Sequence, residues 1–210
     1  MKISSVTPPT MGWLEVVLDT DHVDYLWTCV KKAKEESYSV KDTLAGHITN
    51  SFKMVDRDNW FYKKVLTRCI NKHYEAFADV HDVRPAHVAD RKTMCLESFW
   101  VNFQKQHEYN PPHNHGGVFS FVVWMKIPTT SEEQHKLEFL KGNKNPGASN
   151  FQFSYLDING RQTRFPYLMN PSMEGKMLFF SSDLMHSVNP FYECDEDRIS
   201  ISGNIFLTDK

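Results

Sequence analysis

A chain of 210 residues is long enough to bury a core as one domain without disulfide support. Its net charge of −2, from 24 basic and 26 acidic side chains, argues against the broad basic face that wholesale nucleic-acid binding needs. Hydrophobic residues at 40% and charged residues at 24% are ordinary for a globular protein, while 15 Phe, 8 Tyr and 5 Trp favour a sheet-rich interior.

The opening segment, MKISSVTPPTMGW, carries one lysine and no apolar run, so it is not expected to be a signal peptide. From Asp19 or Thr20, both good N-cap types, apolar residues recur at Val23, Leu26, Trp27, Val30 and Ala33. That spacing predicts a helix with Lys31, Lys32, Lys34 and Glu35 on its polar face. A second helix is expected from Asp56 or Asp58, burying Phe61, Val65, Leu66, Cys69, Ile70, Tyr74 and Phe77. Between them Ala45-Gly46 reads as a turn before a short strand. Residues 1–92 are thus expected to be mainly helical support.

Beyond Thr93 the pattern changes to short alternating or apolar runs divided by Gly, Pro and Asn. Strands are expected at Met94–Phe103, Val118–Ile127, Phe151–Asp157, Lys176–Phe180, His186–Asn189 and Arg198–Leu207. The longest apolar stretch, Val118 to Met125, is too short to cross a bilayer. Pro128 to Asn150 reads as a long polar connection, which suggests a functional lid or a disordered loop. Serial strands without intervening helices suggest a sandwich or barrel over 93–210. Cys29, Cys69, Cys95 and Cys194 lie far apart without a C-x-x-C pair, as expected of thiols in a reducing cytosol.

Three local features carry chemistry. In Pro112-His113-Asn114-His115, residues two apart on extended chain point to one face, so both imidazoles can aim at one point. Imidazole ligation without sulfur suits iron, copper, nickel or zinc. Alone, H-x-H says little in a chain with 10 His. His186 follows the apolar run Met177 to Phe180 and the turn-like Ser181-Ser182-Asp183, near a sheet end where a third ligand could join. Arg198 and Ser200 share one strand face, with Ile199 and Ile201 turned to apolar packing. An inward arginine needs an anion: a dicarboxylate gripped by its fork, or a salt bridge to Asp195, Glu196 or Asp197. His22, His73, His81, His87 and His135 read as polar-face or loop residues, and His107 as part of a surface turn.

The order H-x-H, H, R-x-S resembles the double-stranded β-helix 2-oxoglutarate/iron(II) oxygenases, and most closely those of tailed phages, especially cyanophages, and some bacteria. The matching segments are Ala45-Gly46-His47-Ile48, Trp100-Val101-Asn102, Pro112 to His115, Leu178 to Val188, and Arg198 to Asn204. The resemblance implies an α+β chain of one domain over 1–210: a jelly-roll, cupin-like double-stranded β-helix with N-terminal helices packed outside. It implies iron(II) and 2-oxoglutarate as cofactors, His113 and His186 as ligands, Arg198 with Ser200 for the distal carboxylate, and a cosubstrate contact from Asn102. Trp124 stands where relatives tend to carry tyrosine. The family pattern has aspartate where this chain has His115. Three arrangements stay open: ligation by His115, which is preferred; water in that place; or a carboxylate such as Asp183 reaching in. Phe119, Phe121, Phe179 and Trp100 are candidates to line the pocket, or else plain core aromatics. Residues 128–150 and 159–170 are expected to shape its mouth.

The implied reaction converts 2-oxoglutarate and oxygen to succinate and CO2 while hydroxylating an unidentified substrate. Two rival readings are a three-histidine cupin-type dioxygenase that does not use 2-oxoglutarate, and a non-catalytic sandwich or virion-associated module. No membrane partner is expected, nucleic acid is disfavoured, and a homodimer stays open. The expected location is the cytoplasm, that of the host if the gene is a phage's.

Overall fold

A computed structural model describes residues 11–77 and 92–209. Among these residues, ten strands form two antiparallel sheets facing each other. The larger has the order β1 (Trp13–Val17), β8 (Lys176–Ser181), β5 (Phe119–Lys126), β10 (Arg198–Asp209), β3 (Lys92–Gln104), β2 (Asn50–Lys53). The smaller runs β4 (Asn110–His113), β9 (His186–Val188), β6 (Phe151–Leu156), β7 (Gln162–Tyr167). The serial strands thus form a sandwich, in the double-stranded β-helix arrangement that the family resemblance implies.

The two faces of the large sheet are divided by strand alternation. One face packs Val101, Phe103, Phe119, Phe121, Val123, Phe179, Ile201 and Ile205 against α1 (Thr20–Glu36) and α2 (Thr67–Ala76). The other turns Val122, Trp124, Leu178 and Phe180 inward against Phe151, Phe153 and Tyr167 of the small sheet. The inner space between the sheets is therefore a separate apolar chamber.

α1 starts after Asp19, whose N–H meets His22 Nδ1 at 3.3 Å, and ends at Ser37 in left-handed conformation. It buries Leu26, Val30 and Ala33 as expected, but Trp27 is exposed at the edge of the apolar stripe. The second helical stretch begins at Asp56, whose carboxylate accepts from the N–H groups of Phe61 and Tyr62 and from the Tyr25 hydroxyl. It passes through a π-helical turn (Tyr62–Leu66) into α2. His73 departs from expectation. It is 1% exposed and packs edge-on against Phe119 and Phe179, so it belongs to the core. His81 and His87 lie outside the described residues.

The 128–150 connection is not a free lid. It carries α3 (Ser131–His135), started by a capping box in which the Thr130 hydroxyl and the Glu133 carboxylate exchange bonds with each other's backbone. The buried Gln134 side chain donates to Tyr192 O and accepts from Tyr192 N, strapping the segment to the loop before β10. Half of the stretch 159–170 is strand: Asn159-Gly160 turns the β6–β7 hairpin, with Gly160 at φ 72°. No described helix is long and apolar enough to cross a membrane.

Candidate functional site

His113 ends β4 and His186 begins β9, and the two are direct partners in the ladder. His115 follows one turn residue later, its N–H held by Ser182 O at 2.9 Å. Ring centroids lie 4.4 Å apart for His113–His186, 4.9 Å for His113–His115 and 5.0 Å for His115–His186. The three rings offer ligand nitrogens that all lie within 4.8 Å of one another. Among the described residues this is the single such cluster of metal-ligating side chains.

Two of the rings are oriented by backbone carbonyls two residues upstream. His113 Nδ1 lies 2.7 Å from Pro111 O, and His186 Nδ1 lies 2.8 Å from Leu184 O. A carbonyl can only accept, so each Nδ1 carries the proton and each Nε2 keeps its lone pair for a metal. No carbonyl fixes the His115 ring among the described residues; Trp100 stands edge-on to it at 5.9 Å. Burial holds all three neutral. It lowers His113, pulls His115 to about 4 with help from neighbouring His113, and pulls His186 to about 3 in the same way. Three neutral imidazoles suit a divalent first-row transition metal.

Arg198 opens β10 and is 1% exposed. As expected, Ile199 and Ile201 turn to the helix-covered core, leaving Arg198 and Ser200 on the inner face. The expected alternative, a salt bridge to the neighbouring acids, is not formed. Asp195 accepts from Gln106, and Glu196 pairs with Lys126 at 2.6 Å. Arg198 Nη2 donates to Ser149 Oγ, while Nε and Nη1 have no acceptor among the described residues. Burial drags this guanidinium down to about 9. A buried cation with two unaccepted nitrogens is what an anionic ligand would complete.

Ser200 pairs across the ladder with Asn102 on one side and Trp124 on the other. Asn102 is buried, and its Oδ1 accepts from Ser51 Oγ at 2.7 Å. Trp124 is buried in the inner chamber, edge-on to Phe151. Asp183 is exposed and stands apart from the histidine cluster, so it supplies no carboxylate there. Phe119, Phe121 and Phe179 pack on the helix side of the large sheet and line no part of the site. Trp100 does: a groove of about 480 Å³ passes Tyr38, Lys53, Trp100, Asn114 and Asn204 and reaches His113 and His115. Strand-face reasoning missed Ser149 and Phe191, the two residues touching the Arg198 guanidinium. Both come from connections without a repeating pattern.

A double-stranded β-helix with a three-imidazole cluster at the small sheet and a buried arginine on the large one defines the class: a metal-dependent oxygenase fold. Residues 98–204 match the family described as "Putative 2OG-Fe(II) oxygenase", and the chain belongs to that family. It is accordingly an enzyme that uses iron(II) and 2-oxoglutarate. Solved structures with the same fold include a Pseudomonas putida prolyl-4-hydroxylase (15% identity, 92% of each chain covered, TM-score 0.51). Another is the viral collagen prolyl hydroxylase of Paramecium bursaria Chlorella virus-1 in complex with 2-oxoglutarate (12%, 92% of this chain and 94% of that, 0.51). A third is a Trichoplax adhaerens prolyl hydroxylase bound to a peptide fragment of hypoxia inducible factor (12%, 95% and 84%, 0.53). No curated protein matches the sequence.

Proposed function

We propose that His113, His115 and His186 hold the iron, that Arg198 with Ser200 grips the distal carboxylate of 2-oxoglutarate, and that Asn102 adds a cosubstrate contact. The carrying observation is the pairing of three converging neutral imidazoles with a buried arginine whose Nε and Nη1 lack acceptors. When bound, iron(II) and 2-oxoglutarate supply the oxidising chemistry: one oxygen atom of O2 goes into succinate as CO2 leaves, and the other hydroxylates the substrate.

The chain's own residues do the rest. Pro111 O and Leu184 O fix two ligand tautomers. Phe151, Phe153 and Phe180 ring His186 with apolar edges and keep water from the inner side. Trp124 supplies no phenol hydroxyl, so the cosubstrate depends more on the arginine. The substrate, still unidentified, enters along the groove by Tyr38, Lys53 and Trp100. Lys53 and Glu97 both line that groove, which therefore lacks the uniformly basic surface that nucleic-acid binding favours. We read residues 1–210 as one domain of jelly-roll type, acting in the cytoplasm, that of an infected host if the gene is a phage's.

The three-histidine set also suits a cupin-type dioxygenase that works without 2-oxoglutarate. Anaerobic titration with iron(II) and 2-oxoglutarate separates the two. Our reading expects a metal-to-ligand charge-transfer band that Arg198→Ala shifts to far higher 2-oxoglutarate concentration. A protein that binds iron yet gives no such band would support the cupin-type reading instead.

A further inference from the structure

We infer that Ser149 is a positioning residue for Arg198: with Phe191 it fixes the guanidinium in one orientation while leaving its charge uncancelled for an incoming carboxylate. The inference rests on Arg198 being the anion-binding residue proposed above.

Ser149 is fully buried and holds φ at 69°, a left-handed conformation unusual for a residue other than glycine. The turn that imposes it is stitched to the segment before β10. Ser149 N donates to Pro190 O at 2.7 Å, Asn189 N to Asn150 O at 2.8 Å, and Asn189 Nδ2 to Gly147 O at 2.6 Å. The outcome of this geometry is a hydroxyl oxygen presented to Arg198 Nη2. The same segment runs on to Phe191, whose buried ring lies 4.9 Å from the guanidinium carbon. One contact thus fixes a nitrogen and the other fixes the plane.

Both holders are neutral. Among the described residues the adjacent Asp197 forms no ion pair with Arg198, and Asp195 and Glu196 are engaged by Gln106 and Lys126. Had any of these reached Arg198, the ion pair would have consumed the cation. A hydroxyl and an aromatic face orient the cation without neutralising it, and Nε and Nη1 stay available. Bridging the 128–150 connection to the segment before β10 in this way also accounts for that connection being strapped down.

The test uses the full chain loaded anaerobically with iron(II), titrated with 2-oxoglutarate and followed by charge-transfer absorbance. Ser149→Cys keeps the shape but weakens the acceptor. Ser149→Gly suits the left-handed backbone and removes the hydroxyl. Each is expected to raise the 2-oxoglutarate midpoint about tenfold, the size of one lost hydrogen bond to a charged group, with iron affinity unchanged. Ser149→Asp should abolish 2-oxoglutarate binding while keeping or raising the urea midpoint, a pair of opposite movements that a merely structural role would not give. Arg198→Ala is run alongside. If it loses 2-oxoglutarate while the Ser149 variants bind like the parent, the positioning role is overturned and the anion-site reading stands. The positioning role is equally overturned if the Ser149 variants lose iron as well. If Arg198→Ala itself binds 2-oxoglutarate like the parent, the anion-site reading falls.

Discussion

His113 and His186 each borrow a carbonyl two residues upstream to orient the ring, and His115 does not. Replacing His113 or His186 by alanine should therefore cost more iron affinity than His115→Ala. The expected loss for the first two exceeds the roughly 10–100-fold typical of removing a mere orienting partner. Anaerobic iron(II) titration of the three variants checks the ranking; equal losses would put His115 on the same footing as the others. The metal-free protein should also respond to acid. His186 and His115 sit near 3 and 4 when folded, against 6.5 when exposed. Below pH 6.5 the unfolded chain takes up protons that the folded chain refuses, so stability is complete above that value and declines as pH falls towards 4. Urea midpoints of metal-free protein across this range read the effect, and a flat profile would contradict the burial of the cluster.

Strand β10 tolerates no extra atom at Gly203. A Cβ there would stand 2.8 Å from Ser98 O and 2.7 Å from the Phe121 ring, with neighbouring strands on both sides. Gly203→Ala should destabilise the protein by about 1–3 kcal/mol through overpacking, measured by urea denaturation. Thr130→Ala removes one half of the α3 capping box and should cost about 1 kcal/mol by the same assay. The central strands were legible because inward and outward residues alternate cleanly, as Arg198, Ser200 and Ile199, Ile201 do. Three of the four edge strands were not, whereas β2 follows the turn expected at Ala45-Gly46. β1 is five residues of mixed exposure, β4 contains Pro111-Pro112, and β7 contains Pro166. Proline and incomplete burial erase the period that sequence reasoning reads. α3 did leave a signal, the Thr130-x-x-Glu133 pair, inside a stretch whose polarity suggested a loop. The H-x-H, His186 and Arg198 features were legible because each sits on strand or just past it. Ser149 was not, since its role depends on a turn held by a segment about 40 residues away.

The two sheets divide the labour: the small one pairs His113 with His186, and the large one supplies the arginine from the first residue of its central strand β10. Metal and cosubstrate bind opposite walls of one chamber in this reading, so each should stabilise the folded state more in the presence of the other. Thermal denaturation with iron(II), 2-oxoglutarate and both should give a combined shift larger than the sum of the separate ones. Additive shifts would mean that the two ligands do not meet.

The pairing of His113 with His186 carries one more consequence. An ion gripped by both closes a covalent-like circuit across 73 residues of chain, much as a clasp closes a necklace (186 − 113 = 73). β4 is a short edge strand that shares only two ladder positions with β9, so without that clasp its amides should be among the first to exchange with solvent. Hydrogen exchange slowed selectively at the Asn110 and His113 amides on adding iron(II) would make the metal a fastener of the rim as well as the seat of its chemistry.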